Sequence, residues 1–67
     1  MAVEKVGTIS VESGKTFHVL RFTDSGSVFA GENERNITHV DRADSPQGAL
    51  EKALNWLALN GYEPISP

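Results

Sequence analysis

Apolar residues recur along this chain with two different periods, and the change of period divides it into a sheet and a helix. From Val3 to Val11 they follow the two-residue repeat of a strand, with Ile9 and Val11 on one side. Val6 is out of phase with them. One extra residue in a bulge near Gly7 would return it to their side; without a bulge it faces the other way. Glu12-Ser13-Gly14-Lys15 has the composition of a tight turn, with Gly14 supplying a positive φ. Thr16 to Thr23 is the most apolar strand, with Phe17 and Val19 sharing one side with Arg21. His18, Leu20 and Phe22 share the other side. Asp24-Ser25-Gly26-Ser27 marks a second turn, leading into Val28, Phe29 and Ala30 as a third strand. A polar connection, Glu32 to Asn36, precedes Ile37 and Val40, which form a fourth strand or an ordered loop.

The period then changes. Pro46 disfavours helical dihedrals for the residue before it, so Ser45 becomes the N-cap and Pro46 the first helical residue. The Ser45 hydroxyl accepts from a free first-turn amide, and Asp44 places negative charge at the positive end of the dipole. Asn60-Gly61 is a left-handed stop, and Tyr62 falls where a Schellman ending folds an apolar residue back toward Leu57. The helix should hold about fourteen residues. A step of about 100° per residue puts Leu50, Ala53, Leu54 and Leu57 on one stripe, with Ala58 at its margin. Trp56 and Leu59 lie off that stripe, with Ala49 beside Trp56. They read either as a margin tryptophan and a single exposed leucine, or as a second apolar patch for another chain. After the helix, Tyr62 to Ser66 is short and extended, and Pro64 withholds a backbone donor, which suits a sheet edge.

These elements predict an α+β fold: a small antiparallel sheet of three to five strands, in the order β-β-β-(β)-α-β, with one helix packed on one face. Residues 1–67 form a single domain. One helix covers one face of such a sheet, yet the central strand carries large apolar side chains on both. Burying one Phe is worth roughly 1.5–3 kcal/mol, a large share of what a domain this small accumulates. The uncovered face is therefore expected to be a contact surface. The residues offered for contact are Trp56 and Leu59 on the helix and Phe17 and Val19 on the sheet, although the pattern does not choose which sheet pair faces out.

Composition narrows the function. A chain of 67 residues without cysteine has a thin core and neither disulfides nor thiolate metal sites to reinforce it, so association with a second copy is the remaining device. The net charge is −3, and Lys5, Lys15, Arg21, Arg35, Arg42 and Lys52 form no run, so direct nucleic-acid binding is not expected. MAVEKV lacks a signal-peptide core and no apolar run is long enough for a membrane span, which makes a cytoplasmic protein the expectation.

Chemistry is sparse. His18 and His39 have no HxH or HxxxH spacing, so neither a metal nor a cofactor is expected. His39 and Asp41, two apart on a strand, share a side and form a conceivable proton-transfer pair, but no nucleophile accompanies them. Sheets that stack single-stranded bases pair their aromatics with basic residues; here three phenylalanines lie on adjacent strands but Arg21 alone is placed to help, so base stacking is not expected. Glu32, Glu34, Asp41 and Asp44 make the polar connection acidic, off the spacing of a Ca²⁺ loop and interleaved with Arg35 and Arg42. An acidic loop of this kind also suits an inhibitor that occupies the basic surface of a host nucleic-acid enzyme.

The ending Leu54-Asn55-Trp56-Leu57-Ala58-Leu59-Asn60-Gly61-Tyr62-Glu63-Pro64-Ile65-Ser66 resembles the tail of a family of short, uncharacterised bacterial and phage domains. Those end in a helix, a glycine, an aromatic, Glu and a short apolar strand, behind a small antiparallel sheet. Pro64 departs from that pattern in the last strand. The resemblance implies the fold and no activity. The function expected is a non-enzymatic protein-interaction module that self-associates; the acidic inhibitor and a small enzyme using His39 and Asp41 are the alternatives.

Overall fold

The structure is a computed structural model that describes residues 2–33 and 35–65. Four strands, β1 (Val3–Ser10), β2 (Thr16–Phe22), β3 (Ser27–Gly31) and β4 (Ile37–Arg42), precede one helix, α1 (Pro46–Leu59). The strands form an antiparallel meander in sequence order, and α1 packs across one face. The α+β architecture expected from the two periods is the one observed, and the fourth strand forms.

Both turns use glycine as the sequence requires: Gly14 has φ 96° and Gly26 has φ 76°. The β1–β2 register slips between Lys5 and Gly7, so the bulge alternative is the one realised, and Val6 packs against the core. A second slip lies in β3–β4, where Val28 pairs with Asp41 but Phe29 pairs with His39. Val40 is the extra residue, and it too packs against the core.

The helix ends follow from chain chemistry. The Gly48 amide donates to the Ser45 hydroxyl at 3.1 Å, with Pro46 opening the helix. At the far end the Gly61 amide donates to the Ala58 carbonyl and the Tyr62 amide to the Leu57 carbonyl, at 3.2 and 3.0 Å, with Gly61 at φ 84°. Those two bonds are the Schellman pattern.

The buried stripe of α1 differs from the expected one. Ala49, Ala53 and Leu57 are its fully buried residues, Leu50 and Trp56 flank them, and Leu54 is 40% exposed. The hydrophobic repeat alone favours the face with the largest side chains. The helix instead approaches the sheet along Ala49 and Ala53, where small side chains let the backbone come close, and longer ones fill the sides.

The sheet faces correct a second expectation. Phe17 and Val19, offered for outside contact, are 5% and 0% exposed and belong to the core beneath α1. Register explains it: Phe17 pairs with Ile9 and Val19 with Ala30, so each has an apolar cross-strand partner on that side. Leu20 pairs with Lys5 and His18 with Thr8, which is the mixed side. The signal lay in β1 and the residue after it, where Ile9 and Val11 select one side while Lys5, Thr8 and Ser10 mark the other.

Beyond α1 the chain returns to the sheet. Pro64 bridges Val11, the Glu12 amide donates to the Glu63 carbonyl at 2.9 Å, and the Ile65 amide donates to the Ser10 carbonyl at 2.8 Å. Tyr62 meets Phe17 edge-on at 5.0 Å and closes that end of the core. The expected extension of this segment to Ser66 lies outside the described residues. Among the described residues no helix is long and apolar enough to cross a membrane.

Candidate functional site

The sheet side turned away from α1 has no described element packed over it. Its centre is Leu20, flanked by Lys5 on β1 and Phe29 on β3 as cross-strand partners. Leu20 is only 7% exposed, because its neighbours on the sheet close around it. Phe22 lies 5.1 Å from Phe29, ring to ring, and Phe29 lies 5.2 Å from the His39 ring. Three rings thus step across β2, β3 and β4. Phe22 and Phe29 are half-buried, His39 is exposed, and Val3, opposite Phe22, is 52% exposed.

Next to this row lies a polar groove. Lys5, His18, Asn33, Arg35 and Asn36 line an open cavity of about 630 Å³. Lys5 and His18 also border a smaller hollow of about 190 Å³, floored by Gly7, Thr8, Val19 and Leu20 at the β1 bulge. The Asn33 carboxamide oxygen accepts from the Arg35 and Asn36 amides at 2.9 and 3.0 Å, which fixes the turn that brings Arg35 to the groove. Gly31 makes that turn possible. A Cβ there would overlap the Asn36 carbonyl and come within 2.9 Å of the Ile37 Cα.

The two carboxylates carried by the strands both point to the helix side. Glu4 accepts from the Arg21 Nη1 at 2.9 Å, and Asp41 Oδ2 lies 3.8 Å from Lys52 Nζ on α1. Arg21 is turned the same way and donates from Nε to the Ala43 carbonyl and from Nη2 to the Asp44 carbonyl, at 2.9 and 3.0 Å. It is a structural clasp on the β4–α1 connection. The cation the sequence offered for base stacking is therefore on the wrong side, and Lys5 and Arg35 lie where it was expected.

The His39–Asp41 pair does not form. The register slip at Val40 sends Asp41 to the helix side, opposite Val28, while His39 faces Phe29 on the open side. The acidic loop also disperses. Glu32 lies 4.0 Å from Lys15, whereas Asp41 and Asp44 sit at the other end of β4, about 17 Å along a strand of that length. Glu34 lies outside the described residues. Trp56 packs half-buried against the core, and Leu59 is 78% exposed.

One carboxylate pair does converge, at the far end of the molecule. Glu12 and Glu63 share a side-chain hydrogen bond and a like-charge contact, and together with slight burial these hold the Glu12 carboxyl above its usual value. Among the described residues no three His, Cys, Asp or Glu side chains gather as a metal site. No family model, no curated protein and no solved structure matches the chain.

Proposed function

We propose that the chain is a binding module rather than a catalyst, and that it works through the open side of its sheet. The observation that carries this is the ring row Phe22–Phe29–His39 around Leu20, which no described element covers. A solvent-facing sheet side ordinarily carries polar residues, and aromatic side chains are the groups that dominate contact energies. The parting of His39 from Asp41 removes the one acid–base pair on which a catalytic reading rested.

Amide-resolved NMR titration tests it, with the labelled protein challenged in turn by its own unlabelled copy, short oligonucleotides, and acidic and basic peptides. Shifts concentrated at His18, Leu20, Phe22, Phe29 and His39 are the expected result. Shifts confined to α1 or to the Glu12–Glu63 end would place the contact elsewhere and overturn the reading.

Self-association is the second reading, and Leu59 favours it, since this large apolar side chain stands clear of the core beside Trp56. Its surface is the outer side of α1 and its occupant is a second copy. Light scattering across a dilution series decides it: a mass that rises with concentration and falls back in Leu59→Ser supports it, and a constant monomer mass excludes it.

A further inference from the structure

The open side has the relief of a surface that fits its own copy. We infer that its occupant is a second molecule of this chain, related by a two-fold axis running along the strands between β2 and β3. This names the partner of the binding-module reading and rests on it. The two central strands alternate tall and low positions in opposite phase. Along β2 the half-buried Phe22 and His18 stand on either side of Leu20, which is 7% exposed. Along β3 the half-buried Phe29 stands between the short side chain of Ser27 and the bare backbone of Gly31. The register sets Leu20 beside Phe29 and His18 beside Gly31, and its next step toward the turn sets Phe22 beside Ser27. Each tall side chain on one strand therefore has a low neighbour on the other. The rotation lays β2 of one copy over β3 of the other at the same height along the strands. Phe22 then meets Ser27 of the second copy, Phe29 meets Leu20, and His18 meets Gly31. Such self-complementarity is what an isologous contact requires.

The charges permit this pairing. Neither β2 nor β3 places a Lys, Arg, Asp or Glu on the open side, since Arg21 is turned toward α1. Nothing ionised therefore lies near the axis. Lys5 is on β1, which the same rotation lays over β4, so it approaches His39 of the second copy rather than another Lys5. Arg35 shares its turn with Glu32 and Glu34, which leaves the rim with both signs. An apolar centre inside a polar rim is the anatomy of a specific interface, and a face of mixed sign does not repel its own copy. The area sets the strength. The four strands hold five to eight residues each and span about 19 by 21 Å, or about 400 Å² in plan. Two copies would bury roughly 1,000 Å² once side-chain relief is included, the lower bound for a specific interface. The dimer should therefore be weak and reversible.

The test is sedimentation equilibrium of the full chain from about 1 μM to about 1 mM, the range in which an interface of this size is half-formed. The mass should rise from monomer toward dimer and no further, because a two-fold contact closes. Ser27→Glu sets a carboxylate in the recess under the opposing Phe22 and should weaken the dimer roughly 10-fold or more. Phe22→Ser should weaken it as well. Adding Ser27→Phe to that variant should restore most of the loss, because the rotation brings the exchanged pair together again. Leu59→Ser on α1 should leave the dimer unchanged. Thermal melts establish that each variant is folded. A constant monomer mass over the whole range overturns the proposal, as does a dimer that Ser27→Glu leaves intact or that Leu59→Ser dissolves. A double variant no tighter than Phe22→Ser overturns it too. If the chain stays monomeric while peptides or oligonucleotides shift the open-side amides, the partner is wrong and the binding surface survives. If nothing shifts them, both fall.

Discussion

The Phe29 ring stands edge-on to the His39 imidazole, with centroids 5.2 Å apart and planes 77° apart, on the side of the sheet that α1 leaves open. That contact exists because of one unpaired residue. Val40 interrupts the β3–β4 ladder, turns inward to the core, and leaves His39 and Asp41 on opposite sides. A strand without the bulge would have set them together. His39→Ala should therefore cost under about 1 kcal/mol, the scale of a surface ring contact. Urea denaturation measures it, and a loss several times larger would mean that His39 is structurally buried.

Arg21 ties three segments together, joining β2 to Glu4 on β1 and to the Ala43 and Asp44 carbonyls ahead of α1. Hydrogen bonds from a charged donor contribute about 1.5–3 kcal/mol each when their acceptors are left unpaired. Arg21→Ala should destabilise by about 2–4 kcal/mol, which in a domain of this size lowers Tm by about 4–8 °C per kcal/mol. Arg21→Lys should recover only part of the loss, because an ammonium does not reproduce the three-way fork. A melt within a degree or two of the parent would refute this role.

Two glycines of the sheet should respond oppositely to alanine. At Gly31 a Cβ collides with the backbone of Asn36 and Ile37, which has no room to yield. The loss should reach or pass the upper end of the about 1–3 kcal/mol typical of overpacking. At Gly7 the nearest atom to a new Cβ is the Leu50 Cδ2 at 3.7 Å, an ordinary contact. Gly7→Ala should be close to neutral or stabilising, since glycine loses the most backbone entropy on folding. Paired denaturation curves check the contrast.

The Glu12–Glu63 pair makes stability depend on pH in a known direction. Its raised carboxyl means that the folded chain holds a proton the unfolded chain has already released. The folded state is thus favoured in acid, and that advantage is lost as pH rises from the ordinary carboxylate value of 4.5 through the raised folded value. Glu12→Gln removes the repulsion. It should raise Tm at about pH 7 and give no advantage at about pH 4. Equal melting of the two proteins at neutral pH would contradict the pairing.

How much of this was legible depended on where local chemistry decides. Both helix ends were readable, because Ser45-Pro46 and Asn60-Gly61-Tyr62 act through their own backbone. The turns at Gly14 and Gly26 were readable for the same reason. The faces were not, because they depend on register between strands. Phe17 and Val19 went inward on the strength of partners in β1 and β3, and a single inserted residue at Val40 undid the His39–Asp41 pairing. The groove was the least readable feature of all. Lys5 and Arg35 are thirty residues apart in sequence, and only the meander with its Gly31 turn brings both to one cavity.

Leu57 and Leu54 calibrate the helix orientation. Leu57 is fully buried, so Leu57→Ala should cost about 2–5 kcal/mol, whereas the largely exposed Leu54→Ala should cost about 1 kcal/mol or less. Equal losses would return α1 to the stripe expected from hydrophobicity alone.

Binding through the open side requires that Phe22 and Phe29 face solvent in the free chain while Phe17 does not. Relaxation of their ring protons by a soluble nitroxide, measured on the dilute protein, reads this directly. Strong broadening of Phe22 and Phe29 beside a protected Phe17 is the predicted result. Protection of all three rings would mean that the chain covers its own sheet on both sides, and the binding surface would not exist.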